Sequence, residues 1–104
     1  MNAKNKSGKK KNSTKELYKR IDKVLSKHGA KKIAVFGSYA RGEQKKNSDI
    51  DIIVEFYEGK SLLDIVGIEL ELEEKIGINV DLLTEKSISP YLIDRIKKDM
   101  VIIS

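Results

Sequence analysis

The sequence predicts an α+β domain, in which one small mixed β-sheet is flanked by helices. Three observations lead there. Apolar residues recur at helical intervals in three segments, and in short alternating or β-branched runs between them. These segments follow one another as helix, strand, strand, helix, strand, helix and a short final strand. The first two strands are joined by only about twelve residues, too few for a comfortable helical crossover, which favours a mixed or antiparallel sheet over a doubly wound one.

Each element has a local cause. Ser13 and Glu16 have the spacing of a capping box, and Leu17, Ile21, Val24, Leu25 and His28 follow on one helical face until Gly29 stops it. His28, at the last turn, suits a cationic or capping role better than metal ligation, because no Cys or second His accompanies it. Lys32 to Phe36 is a short β-branched run ending at Gly37, and reads as a buried strand. Asp49 to Phe56 alternates, with Ile50, Ile52, Val54 and Phe56 on one face and Asp49, Asp51, Ile53 and Glu55 on the other. Ser61 with Asp64 caps a helix that runs to Gly77 and is apolar over a wide arc, through Leu62, Leu63, Ile65, Val66, Ile68, Leu70 and Leu72. That arc suits core packing, with a partner or self-association surface as the second use. Ile78 to Leu83 is a third strand. Ser89 and Pro90 form an N-cap and N1 pair for a last helix through Ile93 and Ile96, and Met100 to Ile103 adds a short edge strand.

Composition narrows the function. The 104 residues carry 21 Lys plus Arg, 16 Asp plus Glu, a formal charge of +5, one His, one Pro and no Cys. One domain fits that length, and a self-contained multidomain enzyme does not. Without Cys there is no disulfide scaffold and no thiolate zinc site, and the apolar runs fall short of the ~18 residues of a membrane span, so a cytoplasmic protein with no membrane association is expected. The charge is unevenly placed: six Lys and no acid lie in residues 1 to 15, leaving fifteen basic against sixteen acidic residues in the remainder. Residues 1–12 read as a disordered Lys-rich tail, either a solvated terminus or a contact arm for RNA or an acidic partner, and residues 13–104 as the domain.

Three acids are misplaced for packing alone. Asp49 and Asp51 point the same way from one strand, about 6.6 Å apart, and Asp81 interrupts an otherwise apolar strand. Adjacent ionised carboxylates repel and raise each other's pKa unless a cation lies between them. Mg²⁺ is the natural one, since it prefers oxygen ligands and is commonly held by one or two carboxylates together with substrate phosphates. Two such ions about 3.5–4 Å apart can clamp the attacking and leaving oxygens of a phosphoryl displacement. By itself the Asp-Ile-Asp triplet also fits a solvent-facing strand edge, Asp81 a strand-end acid, and Gly37-Ser38 an ordinary turn. Their combination is specific, because the Gly-Ser turn offers backbone N–H groups and the Ser38 hydroxyl to an anion, with Arg41 close by.

The stretch GSYARGEQKKNSDIDIIVEF followed by VDLLT resembles the minimal nucleotidyltransferases (MNT) of the DNA polymerase β-like superfamily, related to kanamycin nucleotidyltransferase. The resemblance spans about residues 14 to 103 and excludes the Lys-rich tail. It implies Mg²⁺-dependent transfer of a nucleoside monophosphate, usually from ATP, to an acceptor hydroxyl. By position it implies that Gly37 and Ser38 hold the triphosphate, that Asp49 and Asp51 bind both metal ions, and that Asp81 completes one metal site and favours acceptor deprotonation, with Arg41 as a phosphate contact. Many short members resemble antitoxins encoded beside a HEPN ribonuclease toxin, which they silence by adenylylating a tyrosine. Two other readings stand beside this one: a non-catalytic nucleotide-binding antitoxin acting by occlusion, and a nucleotidyltransferase acting on RNA or a small molecule.

Overall fold

In the computed structural model the backbone is described for residues 2–104 and side-chain environments for residues 14–104. Helix α1 (Asn2–Lys27) starts on the N-terminal side of Ser13, so Ser13 is not the end of the element. The side chains expected to form the Ser13 capping box, and the tail expected over residues 1–12, lie outside the fully described residues. From Leu17 onward α1 follows its predicted apolar face: Ile21, Val24 and Leu25 are buried. After it come β1 (Ala30–Phe36), α2 (Gly37–Arg41), β2 (Ile50–Phe56), α3 (Leu62–Ile76), β3 (Val80–Thr84), a 3-10 turn over Glu85–Ser87, α4 (Pro90–Asp99) and β4 (Val101–Ile102).

The capping chemistry behaves as the sequence requires. Ser61 Oγ accepts from the Asp64 N–H and Asp64 accepts from the Ser61 N–H, both at 3.1 Å, while Gly77 closes α3 in the left-handed region. Ser89 caps α4 with Pro90 at its first turn.

The four strands form one mixed sheet in the order β3-β2-β1-β4. β1 is antiparallel to β2 and to β4, whereas β2 and β3 run parallel with α3 as their crossover. The thirteen-residue β1–β2 connection holds only the short α2, in keeping with the antiparallel pairing. Side-chain alternation then sorts the sheet into two faces. Ile33, Val35, Ile52, Val54, Val80 and Leu82 join Ile21, Leu25, Ile68 and Leu72 in one buried cluster, so α1 and α3 cover this face. Burying each of these branched side chains contributes about 1.5–3 kcal/mol. Asp51, Ile53, Asp81 and Leu83 point to the opposite face.

Polar contacts tie α1 to α3, and α3 to the sheet. At the carboxyl end of α1, Lys27 Nζ and His28 Nε2 reach the two oxygens of Glu71 on α3, at 2.5 and 3.0 Å. His28, expected in a cationic or capping role at the end of its own helix, is hydrogen-bonded instead to a carboxylate of α3. On β3, three alternate backbone N–H groups are met by side chains: Val80 donates to Glu73, Leu82 to Glu69 and Thr84 to Ser87, at 2.8, 2.9 and 3.2 Å. Among the described residues, no helix is long and apolar enough to cross a membrane.

Candidate active site

The parallel register of β2 and β3 places Asp51 directly opposite Asp81. Paired residues on neighbouring strands share a face and lie about 4.8 Å apart along the hydrogen-bonding direction. The two carboxylates are therefore cross-strand neighbours. Asp49 lies just before β2, exposed and two residues from Asp51. The sequence places Asp49 in the strand, whereas the strand begins one residue later, at Ile50.

Gly37 closes the other side of this row. Phe36, the last residue of β1, pairs with Asp51, and the chain turns at Gly37 with φ 73°. A Cβ on Gly37 would overlap the Asp51 carboxylate. Glycine is needed here twice over, for the left-handed backbone and for the approach of Asp51. The α2 turn that follows has no side-chain cap, so its first N–H groups, with the Ser38 hydroxyl beside them, are available to an anion.

Electrostatics mark Asp51 as the strained member. Burial pushes its carboxyl above the ordinary value, Asp81 and then Asp49 add to the rise, and Arg41 opposes it. An uncharged or cation-bound carboxylate relieves that strain. Arg41 itself is engaged elsewhere: its Nε donates to Glu43 at 2.8 Å and its Nη1 lies 3.9 Å from Asp99 on α4. The bond to Glu43 leads the causes that raise the Arg41 pKa, with Asp99 and Asp51 also contributing.

The structure thus gathers Gly37, Asp51 and Asp81, sets Asp49 and Ser38 at the rim, and leaves Arg41 within electrostatic reach while paired to other acids. Among the described residues no three acidic or His side chains converge as a ready cage for a metal. The donor set still fits Mg²⁺, an ion commonly held by one or two carboxylates and completed by substrate phosphates and water. Sequence reasoning missed Glu43 and Asp99. Glu43 stands two residues after Arg41 and was open to notice, whereas nothing in the sequence signals that the end of α4 returns to this corner.

Carboxylates from neighbouring parallel strands, set against an uncapped glycine turn, form a donor set that fits a phosphate-bearing ligand and its accompanying cations. The chain belongs to the nucleotidyltransferase domain family, which matches residues 14–103. It is 57% identical over 86 residues to a candidate protein adenylyltransferase of Methanocaldococcus jannaschii, covering 83% of this chain and 92% of that protein. It is 37% identical over 89 residues to the protein adenylyltransferase MntA of Thermococcus cleftensis, covering 78% and 90%. Among solved structures it resembles a toxin–antitoxin crystal structure with AMP-PNP (TM-score 0.77, 27% identity, 84% of this chain and 72% of that one). It also resembles a candidate minimal nucleotidyltransferase (TM-score 0.73, 38% identity, 85% and 93%). The protein is a nucleotidyltransferase of the minimal type.

Proposed function

We propose that this nucleotidyltransferase depends on Mg²⁺ and transfers AMP from ATP to a tyrosine hydroxyl of a cognate HEPN-type toxin, acting as its antitoxin in the cytoplasm. The observation that carries the reading is the Asp51–Asp81 register beside Gly37, with the charge of Asp49 felt at Asp51. Relatives named as protein adenylyltransferases, and a structural neighbour that is a toxin–antitoxin assembly with an ATP analogue, support the donor and the partner.

In this reading the acceptor oxygen forms a bond to the α-phosphorus of ATP, the bond to the bridging oxygen breaks, and diphosphate leaves. The acceptor proton is released towards Asp81. Asp49, Asp51 and Asp81 would hold the metal, which when bound would neutralise the phosphates and favour the attacking oxygen as an anion. The Gly37–Ser38 turn binds the triphosphate through N–H and hydroxyl donors. Arg41 must exchange Glu43 and Asp99 for phosphate to take part, which its exposure permits.

Incubation with the adjacent-gene HEPN-type protein, Mg²⁺ and ATP, followed by peptide mass spectrometry, tests the acceptor. AMP on a tyrosine of that protein is the expected result. Modification of RNA or of a small molecule with the protein partner left unmodified contradicts it.

A further inference from the structure

α3 buries Ile68 and Leu72 against the sheet, yet leaves Leu62, Leu63, Val66 and Leu70 exposed by 79, 83, 42 and 59%. A lone surface leucine needs no explanation; four apolar side chains on one helix call for a partner. Leu63, Val66, Gly67 and Leu70 recur at the three- and four-residue spacing of a helix–helix seam. Gly67 lies mid-helix with nothing within 4 Å of where its Cβ would be. An interior glycine weakens a helix relative to alanine, and what it offers in return is close approach of another backbone.

We propose that α3 is the contact between two copies of this chain, packed antiparallel about a two-fold axis passing between Val66 and Gly67. The seam is self-complementary about that point. Leu63 of one copy meets Leu70 of the other, and Val66 fills the space above the other Gly67, each contact occurring twice as an isologous interface requires. Charge agrees with the register: Lys60, just before the helix, comes near the exposed Glu74 at the end of the other α3, while Glu73 is turned to the Val80 N–H of its own chain. An acceptor protein does not suit this face. α3 covers the buried side of the sheet while Asp51 and Asp81 open on the opposite side, so a toxin seated on α3 would hold its hydroxyl away from the carboxylates. That last step rests on the proposed function; the symmetry of the seam does not.

Sedimentation velocity of the full chain over a series from low micromolar to millimolar tests the proposal. A concentration-dependent monomer–dimer equilibrium is expected, as suits a two-helix seam at the small end of specific interfaces. Leu70→Glu should weaken association at least about tenfold. Gly67→Leu should do the same while keeping or raising Tm, since its side chain enters open space, which separates a lost contact from a lost fold. Lys60→Glu should weaken the dimer and a second change, Glu74→Lys, should restore it. A monomer throughout the series, or a dimer indifferent to Leu70→Glu and Gly67→Leu, overturns the proposal. So does a loss of partner binding in those variants with oligomeric state unchanged, which would give the face to the toxin. AMP transfer, measured separately, reports on the active site and not on the seam.

Discussion

Gly37 and Asp51 are bound to each other by geometry. A methyl group at Gly37 meets the Asp51 carboxylate and also disfavours the left-handed backbone, so Gly37→Ala should cost about 1–3 kcal/mol of stability. It should also lower AMP transfer by more than its effect on the folded fraction, because Asp51 must move aside; thermal melts run beside rate measurements check both. Asp51→Asn should separate stability from activity. The folded carboxyl binds its proton more tightly than the unfolded one, so the folded state is favoured on the acid side and loses stability as pH rises through the raised pKa. In metal-free protein Asp51→Asn should therefore be more stable than the wild type near neutral pH. The gain is a few tenths of a kcal/mol once solvent screening is allowed for, and it should vanish as pH falls to the ordinary carboxyl range. Paired melts across that range, without Mg²⁺, read the effect; a wild type more stable than Asp51→Asn at neutral pH contradicts it.

Among the elements, the edge of β3 is protected by its own crossover helix. Glu69 and Glu73 of α3 accept from the backbone N–H groups of Leu82 and Val80, closing positions at which another strand would pair. Glu69→Ala should cost about 1 kcal/mol and increase aggregation on partial unfolding, as denaturant titration and light scattering would show. This protection was not legible in the sequence, where ELELEEK reads only as a polar helix face. Local signals were legible: the Ser61–Asp64 box, the Gly77 stop and the Ser89–Pro90 start all depend on residues a few positions apart, and all appear as expected. The apolar arc of α3 suits core packing by its sequence, but half of it faces outward, because periodicity shows that a helix has apolar faces without showing what covers them. The pairing of Asp51 with Asp81 joins residues thirty positions apart, and the spacing within each strand cannot supply its neighbour. The resemblance of the whole motif indicated that pairing, and the register supplies its geometry.

For the whole molecule, the sign of the charge depends on where one looks. Six Lys within the first fifteen residues account for the positive total, while residues 16–104 hold sixteen acids against fifteen bases, with Asp49, Asp51 and Asp81 at one end of the sheet. An acidic site repels a nucleotide until cations are present, so nucleotide and metal should bind in mutual support. Removing residues 1–12 should leave AMP transfer unchanged and abolish any salt-sensitive RNA binding seen with the full chain. The most direct measurement of the central claim is AMP transfer from labelled ATP to the proposed HEPN-type partner, with and without Mg²⁺, by the wild type and by Asp49→Asn, Asp51→Asn and Asp81→Asn. Transfer that requires Mg²⁺ and falls by roughly a hundredfold or more in each variant is the predicted result; labelling that persists without the metal, or in the Asp49→Asn and Asp51→Asn proteins, would contradict it.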